Sequence, residues 1–226
     1  MLTGKKAVIF DMDGSLVDSM WIWPEVDRIY MEKYHLTEPP EFHKDIEGMS
    51  YTETAQYFVD TFPSLDRTLE QVMQEWRDMT IHLYATKVFP KPGAVDFLRD
   101  MKSRGIVLGI ATSNDRAIAD AALNARGLTP YFDSVRTSCE VSAGKPAPDV
   151  YLKVAEDLQV DPASCLVFED IPNGILAGKN AGMEVCAVDD EFSRPLEQEK
   201  KRLADYFIHD FNDIFRHTYE RCDELT

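Results

Sequence analysis

Cysteine is scarce in this chain, which has four cysteines among 226 residues. No two of them form a CxxC pair, so neither a disulfide framework nor a cysteine-bound metal is expected. Two of them lie within the apolar runs CLVF and EVCAV, which is typical of buried, reduced thiols. The four positions are Cys139, Cys165, Cys186 and Cys222.

Long apolar runs are also missing. No uninterrupted stretch approaches the roughly 20 residues needed to span a bilayer. The N-terminus, MLTGKKAVIFDMDG, offers only four apolar residues between its lysines and an aspartate, which is too short for the core of a signal peptide. We therefore expect a cytoplasmic protein without a membrane partner.

Basic residues are too few to balance the acids. The chain has 24 Lys and Arg against 40 Asp and Glu, a formal net charge of −16. This balance argues against nucleic acid as a partner, because phosphate backbones need clustered Lys and Arg. It leaves room for a small phosphorylated ligand, because one lysine and a divalent cation can reverse the local field. The oligomeric state stays open, with a monomer favoured.

Apolar residues make up 44% of the chain and occur as short runs that each lead toward a helical pattern. Such runs, rich in valine and isoleucine and apolar on both faces, predict strands of a parallel sheet covered by helices. The predicted fold class is therefore α/β, with a Rossmann-like parallel sheet. The runs are AVIF at 7–10, IVLGIAT at 106–112, CLVF at 165–168, EVCAV at 184–188 and, more weakly, DYFIH at 205–209.

Residues 19–87 break this alternation, because they have helical patterns and no strand run. Pro24 suits the first turn of one helix. Ser50 opens a second through the capping-box pattern SYTE, and regularly spaced apolar residues predict a third. The chain is thus predicted to divide into a core domain over 1–16 and 89–226 and an all-helical inserted domain over 17–88.

Two aspartates, Asp11 and Asp13, stand at the end of the first predicted strand in the sequence FDMDGS. Side chains two residues apart in a strand point the same way, and adjacent buried carboxylates are costly unless something offsets their repulsion. An Asx turn is one interpretation, because Asp-Gly is common in loops, and a catalytic pair is the other. An EF-hand fits poorly, because the twelfth residue of the loop would be Ile22 rather than glutamate.

Three further polar motifs follow predicted strands or lie in loops. The segment TSN at 112–114 precedes a helix, where its hydroxyls and free N–H groups either cap the helix or bind an anion. Lys145 lies in the loop GKPAPD, where an isolated lysine is usually solvated. Glu169 and Asp170 follow the run CLVF, and two acids at a strand end can be an ordinary solvated edge.

Taken together, the four motifs indicate one site. In parallel α/β sheets, ligands bind beyond the carboxyl ends of the strands, and all four motifs fall at or beyond predicted strand ends. This edge of the sheet would hold four carboxylates, one lysine and a hydroxyl-rich helix start. Four acids cannot stay ionised together without a counter-charge, so a divalent cation is implied. Oxygen ligands alone favour Mg²⁺ over zinc.

These motifs, in this order, resemble those of the haloacid dehalogenase superfamily: DxDGS at 11–15, Thr112-Ser113, Lys145 and Glu169-Asp170. The helical insertion after the first motif is similar to the small cap of its phosphoglucomutase-like branch. The phrases DMDGSLVDS, GKPAPDVY and FEDIPNGILAGKNAG carry the resemblance over nearly the whole chain. It implies a Rossmann-like core, a helical cap and an enzyme that acts on a small phosphorylated molecule.

The resemblance implies roles for the two N-terminal acids. Asp11 would be the nucleophile that attacks phosphorus and forms an aspartyl-phosphate. Asp13 would be the general acid that protonates the leaving group and then the base that activates water. Dehalogenase members need no proton donor and lack this second aspartate, so Asp13 favours phosphatase or mutase chemistry.

The resemblance also implies the ligands of the metal and of the phosphoryl group. Lys145 would offset charge on the phosphoryl group during catalysis. The Mg²⁺ ligands would be Asp11, the main-chain carbonyl of Asp13, Asp170 and, directly or through water, Glu169. The phosphoryl group would be bound by Thr112, Ser113, Asn114 and Lys145.

A phosphatase and a mutase remain alternatives. Mutases of this branch carry a cap histidine twelve residues after the nucleophile, where this chain has Trp23. They also place an arginine after a G-x-S turn, where GMS at 48–50 is followed by Tyr51. A mutase must bind a bisphosphate, so the missing positive charge favours a phosphohydrolase acting on a sugar or polyol phosphate. A scaffold protein is a further alternative, although such relatives usually lose the nucleophile, the acid or the last metal ligand.

The inserted helices are expected to close over the site and to select the substrate. The hinges would be residues 15–18 and 87–92. Aromatic side chains in the insertion would present their faces to the substrate, or would instead pack between the helices. The candidate substrate contacts are Trp23, Ser50 and Tyr51.

Overall fold

The apolar runs of the sequence form the strands of one sheet. The computed structural model describes residues 1–46 and 49–222, and most of the described strands join a seven-stranded sheet. The strands β1 to β9 are Ala7–Phe10, Val17–Asp18, Phe89–Pro90, Val107–Thr112, Ser134–Thr137, Cys165–Glu169, Glu184–Val188, Tyr206–Ile208 and Glu220–Arg221.

The main sheet has the order β5-β4-β1-β6-β7-β8-β9, and β2 pairs with β3 separately. Every neighbouring pair in the main sheet is parallel except β8 with β9. The chain runs from β1 toward β5 and then returns to the other side of β1. This reversal places β1 between β4 and β6, where doubly wound sheets bind their ligands. The predicted parallel α/β fold is confirmed.

Ten helices connect or flank the strands within the described residues. The first four lie between β2 and β3, and the others alternate with the strands of the main sheet. Their bounds, α1 to α10, are Ile22–Tyr34, Phe42–Asp45, Tyr51–Thr61, Leu69–Lys87, Ala94–Ser103, Arg116–Ala125, Asp149–Leu158, Pro172–Asn180, Glu197–Leu203 and Asn212–Arg216.

Strand β1 is buried on both faces, as its unbroken apolar sequence predicts. Val8 and Phe10 face one apolar cluster, which includes Phe97 of α5. Ala7 and Ile9 face the opposite cluster, to which α7 and α8 contribute. All four strand residues are fully buried. Helices therefore cover both faces of the sheet, and a ligand is expected at the edge formed by the strands' carboxyl ends.

Two of the four inserted helices, α3 and α4, begin at capping boxes. The Ser50 hydroxyl accepts a hydrogen bond from the N–H of Glu53, and the Glu53 carboxylate accepts one from the N–H of Ser50, which is the capping box that the sequence predicts. The helices pack through aromatic rings, with Trp76 4.8 Å from Phe58 and 5.8 Å from Tyr30 between ring centroids. The domain boundaries at 16/17 and 88/89 stay a prediction.

Several short elements have no clear sequence signal. Strand β5 has the polar sequence SVRT, and it forms because it completes the edge of the sheet beside β4. Strands β2 and β3 have two residues each and pair across the ends of the insertion.

Among the described residues, no helix has both the length and the apolar composition to cross a membrane. Gly48, in the expected G-x-S turn, and the C-terminal residues 223–226 lie outside the described residues.

Candidate active site

The strand order brings three of the polar motifs together. Asp11 directly follows β1, Thr112 ends β4 and Glu169 ends β6. Because β1 pairs with both other strands, the register sets Phe10 beside Ile110 and Phe168. The three side chains therefore emerge from adjacent strand ends.

Lys145 joins two of the acids. Its ammonium group donates hydrogen bonds of 2.6 Å to Asp11 Oδ1 and of 2.6 Å to Glu169 Oε1. Burial alone would lower the pKa of Lys145, but the charges of Asp11 and Glu169 outweigh it and raise that pKa. This lysine is buried and paired, not solvated as an isolated loop lysine usually is.

Glu169 is fully buried, and both of its oxygens accept hydrogen bonds. Oε1 accepts from Lys145 and also from the hydroxyl of Tyr151, at 2.8 Å. Oε2 accepts from the N–H of Asp170 at 3.0 Å. The carboxylate fits only because residue 174 is glycine, since a Cβ there would lie 1.8 Å from Glu169 Oε1. Glu169 is thus held rigidly against the lysine.

Asp170 has one oxygen with a protein partner and one without. Oδ1 accepts from the Ser15 hydroxyl at 3.1 Å. Oδ2 is buried and has no hydrogen-bond partner among the described residues. Gly14 makes its approach possible, because that residue has φ +81° and a Cβ there would lie 2.3 Å from Asp170 Oδ2. A buried, unpaired carboxylate oxygen is costly unless a ligand meets it.

The cluster has the composition of a hard-cation site. Carboxylate oxygens of Asp11, Glu169 and Asp170 all lie within 4.8 Å of one another. Burial, with Glu169 and Asp13, raises the pKa of Asp11 to about 8 although Lys145 opposes the shift. One lysine therefore does not balance the acids. Oxygen ligands, surplus negative charge and the unpaired Asp170 Oδ2 together fit Mg²⁺.

Asp13 has different partners from Asp11. Its Oδ1 accepts hydrogen bonds of 2.5 Å from the hydroxyls of Ser19 and Tyr84, and its Oδ2 accepts one of 3.0 Å from the Asn114 amide. Burial raises the pKa of Asp13, while these three hydrogen bonds act in the opposite direction. Lys145 makes no hydrogen bond to Asp13 within the described residues, so only neutral groups hold this carboxyl.

The predicted phosphate-binding residues lie at the same edge. Thr112, Ser113, Asn114 and Lys145 all line the cavity above Asp11. The Thr112 hydroxyl accepts a hydrogen bond of 3.0 Å from the N–H of Asn114. The Asn114 amide also donates to the Tyr84 hydroxyl at 3.1 Å, so this side chain is directed at the Asp13 group. Its predicted contact with phosphate stays a prediction.

Of the three candidate substrate contacts in the insertion, two line the cavity and the third does not. Trp23 and Tyr51 line the cavity, with their rings 6.5 Å apart between centroids. The Tyr51 hydroxyl donates to the Met73 carbonyl at 2.8 Å. Ser50 does not line the cavity among the described residues, and its hydroxyl caps helix α3.

Sequence reasoning missed Tyr84 and Tyr151, which hold Asp13 and Glu169. A tyrosine in a helix is usually a core residue, so neither was assigned a role, although Tyr151 closes the phrase GKPAPDVY on which the resemblance depends. Ser19, which also donates to Asp13, ends the phrase DMDGSLVDS. Its position six residues after Asp13 is the one feature of the sequence that could have indicated this contact.

Comparison with known proteins gives consistent matches. A family model described as haloacid dehalogenase-like hydrolase matches residues 5–182. A phosphorylated carbohydrates phosphatase from Thermotoga maritima is 33% identical over 179 residues, covering 79% of this chain and 82% of that protein. A bifunctional riboflavin kinase/FMN phosphatase from Arabidopsis thaliana is 31% identical over 211 residues, covering 92% of this chain and 54% of that protein. The chain thus spans about half the length of this last relative.

A solved structure has the same fold. The crystal structure of CbbY from Rhodobacter sphaeroides in complex with phosphate matches with a TM-score of 0.79, covering 93% of this chain and 96% of that chain. The sequence identity is 20%, so this likeness concerns the fold alone.

Replacing Asp170 tests the metal site directly. Asp170→Asn should weaken Mg²⁺ binding by at least about 10-fold, measured by isothermal titration calorimetry, because it removes the negative charge of a carboxylate whose Oδ2 has no protein partner among the described residues. The matched control is Glu156→Gln, which removes an acid from the surface where its side chain is 71% exposed. Equal affinities in Asp170→Asn and the control would contradict the assignment.

Proposed function

The chain belongs to the haloacid dehalogenase-like hydrolases, and on that premise we propose that it is a Mg²⁺-dependent phosphohydrolase of a small sugar or polyol phosphate. The reaction would pass through an aspartyl-phosphate on Asp11. The Thermotoga maritima relative, named for phosphorylated carbohydrates, supports this substrate class. The different hydrogen-bond partners of Asp11 and Asp13 support the chemistry.

The carrying observation is the contrast between Asp11 and Asp13. The first accepts a hydrogen bond from an ammonium group, which favours the carboxylate form that a nucleophile needs. The second is held by neutral donors alone, which suits a group that gives and takes a proton. Burial raises the pKa of both acids, but their hydrogen-bond partners differ, and two acids with different partners at one cavity suit a divided acid–base mechanism.

In the first step, an oxygen of Asp11 forms a bond to phosphorus as the bond from phosphorus to the substrate oxygen breaks. Asp13 gives its proton to that leaving oxygen. In the second step, Asp13 takes a proton from water as the water oxygen attacks phosphorus, and the bond to Asp11 breaks to release inorganic phosphate. One group thus serves as acid and then as base.

The remaining residues would offset charge. Lys145, Thr112 and Ser113 would bind the phosphoryl oxygens while negative charge spreads over them. Asp11 and Asp170 would hold Mg²⁺, together with the main-chain carbonyl of Asp13, and Glu169 would help directly or through water while it fixes Lys145. Bound Mg²⁺ supplies Lewis-acid stabilisation of the phosphoryl charge.

A sugar-phosphate mutase is the second candidate, and the cavity argues against it. Lys145 is the single cation among the described cavity residues, and it is already paired with two acids. A bisphosphate intermediate would leave its second phosphate without a counter-charge. Addition of a hexose 1-phosphate should therefore release free phosphate, whereas accumulation of the 6-phosphate would identify a mutase.

Three expectations from the sequence remain predictions alongside this function. They are the cytoplasmic location, the monomeric state favoured over an oligomer, and the division into a core and a cap. The small phosphorylated substrate is part of the proposal itself. None of these points alters the chemistry assigned to Asp11 and Asp13.

Asp11→Asn should abolish phosphate release while leaving the fold intact. The amide is isosteric with the carboxylate but cannot attack phosphorus, so turnover should fall by about 1,000-fold or more. The measurement is inorganic phosphate released from a panel of phosphorylated metabolites with Mg²⁺, with circular dichroism as the check on folding. The wild type should lose its activity when a chelator removes the metal.

Retained turnover in Asp11→Asn would refute the assignment of the nucleophile. Chelator-resistant turnover in the wild type would instead refute the metal requirement, so the two parts of the proposal fail separately.

Tyr84→Phe should lower kcat by about 10-fold and leave KM nearly unchanged. The substitution removes one hydrogen bond to the Asp13 carboxyl and no atom that lies on the reaction path. Tyr30→Phe is the matched control, because Tyr30 is a buried tyrosine of the insertion whose ring packs on Trp76 instead. Both variants would be measured by steady-state kinetics. Equal kcat values for Tyr84→Phe and Tyr30→Phe would contradict a positioning role for Tyr84.

A further inference from the structure

Helix α1 places an acid on the face that lines the cavity. Trp23, Val26 and Asp27 lie at positions i, i+3 and i+4, which form one face of a helix, and all three line the cavity. An apolar residue is expected at such an inward position. Asp27 interrupts this apolar face with a carboxylate, so its presence there calls for a functional explanation.

Asp27 has no partner of its own. Among residues 1–46 and 49–222, no hydrogen bond or ion pair reaches its carboxylate. Burial, with the charge of Glu38, raises the pKa of Asp27 to about 7, as expected where no cation is near. A half-buried acceptor without a donor costs free energy, so a donor on the ligand would be favoured.

The other cavity residues that the insertion contributes are mostly apolar or aromatic. Lys145 is the one cation among the described cavity residues, and it is already paired with Asp11 and Glu169. The cavity has a volume of about 310 Å³, at the lower end of small-ligand sites. The apolar and aromatic cavity residues of the insertion include Trp23, Val26, Ile46, Met49, Tyr51 and Trp76.

We propose that Asp27 is a specificity-determining residue that accepts a hydrogen bond from a hydroxyl of the leaving group and rejects substrates with a second anionic group. The substrate would be a monophosphate of an uncharged sugar or polyol, with its C–H face against Trp23 and Tyr51. This inference rests on the proposed function and assigns to Asp27 the choice among its substrates.

The charge pattern gives the selection its physical basis. The cavity is lined by groups of unlike chemistry, because Lys145 and the strand-end hydroxyls come from the strand ends and loops of the main sheet, whereas Asp27 comes from helix α1. A phosphoryl group bound by Lys145 and the hydroxyls would leave the hydroxyls of the leaving group to extend toward Asp27. A second phosphate or a carboxylate there would face an acid with no cation to offset it. Uncharged hydroxyls would donate to it instead.

The test compares three substrates with Mg²⁺: fructose 6-phosphate, fructose 1,6-bisphosphate and p-nitrophenyl phosphate, which has no hydroxyl donor. The wild type should favour the monophosphate over the bisphosphate by at least about 10-fold in kcat/KM. Asp27→Lys should reduce this ratio by at least about 10-fold. Asp27→Asn, which is isosteric and leaves less risk to folding, should reduce it in the same direction by a smaller factor.

Glu32→Lys is the matched control. It makes the same change of charge on the same helix, but at a side chain that is 74% exposed. It should leave the ratio of monophosphate to bisphosphate at the wild-type value. A similar shift in Glu32→Lys and Asp27→Lys would trace the effect to the general field of the helix and overturn the role of Asp27.

The outcomes separate this inference from the proposed function. The inference would be overturned if Asp27→Lys and Asp27→Asn hydrolysed p-nitrophenyl phosphate and kept the wild-type ratio of kcat/KM for the monophosphate to that for the bisphosphate. The proposed phosphohydrolase function would stand in that case. Hydrolysis of p-nitrophenyl phosphate but of neither sugar would also overturn the inference, because the substrate class would be wrong. Phosphate release from none of the three would overturn the proposed function and this inference with it.

Discussion

The buried ammonium of Lys145, held between Asp11 and Glu169, is the contact on which the site depends. Two carboxylates at neighbouring strand ends repel each other, and burial makes each charge more expensive. A single cation between them makes their proximity tolerable and fixes the direction of both. It does not balance the third acid, Asp170, whose Oδ2 stays without a partner among the described residues. That imbalance makes the pocket suitable for a divalent cation.

The fold supplies the geometry for this contact. Parallel pairing of β1 with β4 and β6 brings Asp11, Thr112 and Glu169 to one edge, because all three stand at or just beyond the carboxyl ends of their strands. Two glycines then make room. Gly14 and Gly174 leave the space into which Asp170 and Glu169 fit, so the acids come closer to the backbone than any larger residue would allow. The strand order therefore brings the acids to one edge, and the local glycines give them the space to approach the backbone there.

Much of this arrangement could be predicted from the sequence, because the core strands are apolar on both faces and lead into acids or hydroxyl-bearing residues. The parallel sheet and the shared edge follow from those patterns. The short strand β5 could not be predicted, since SVRT forms a strand only because β4 offers it backbone partners. The partners of the acids were equally hidden. Tyr84 and Tyr151 approach Asp13 and Glu169 through tertiary packing, and no spacing in the chain encodes such contacts. Helix α1 brings Asp27 to the cavity in the same way.

The most direct test of this site is a crystal structure with Mg²⁺ and tungstate, an oxyanion that mimics the phosphoryl group. We expect a cation bound by Asp11 and Asp170 Oδ2, with the oxyanion against Thr112 and Lys145, and with Lys145 still in contact with Glu169. An oxyanion bound elsewhere, or a cation-free pocket with Lys145 turned to solvent, would contradict this expectation.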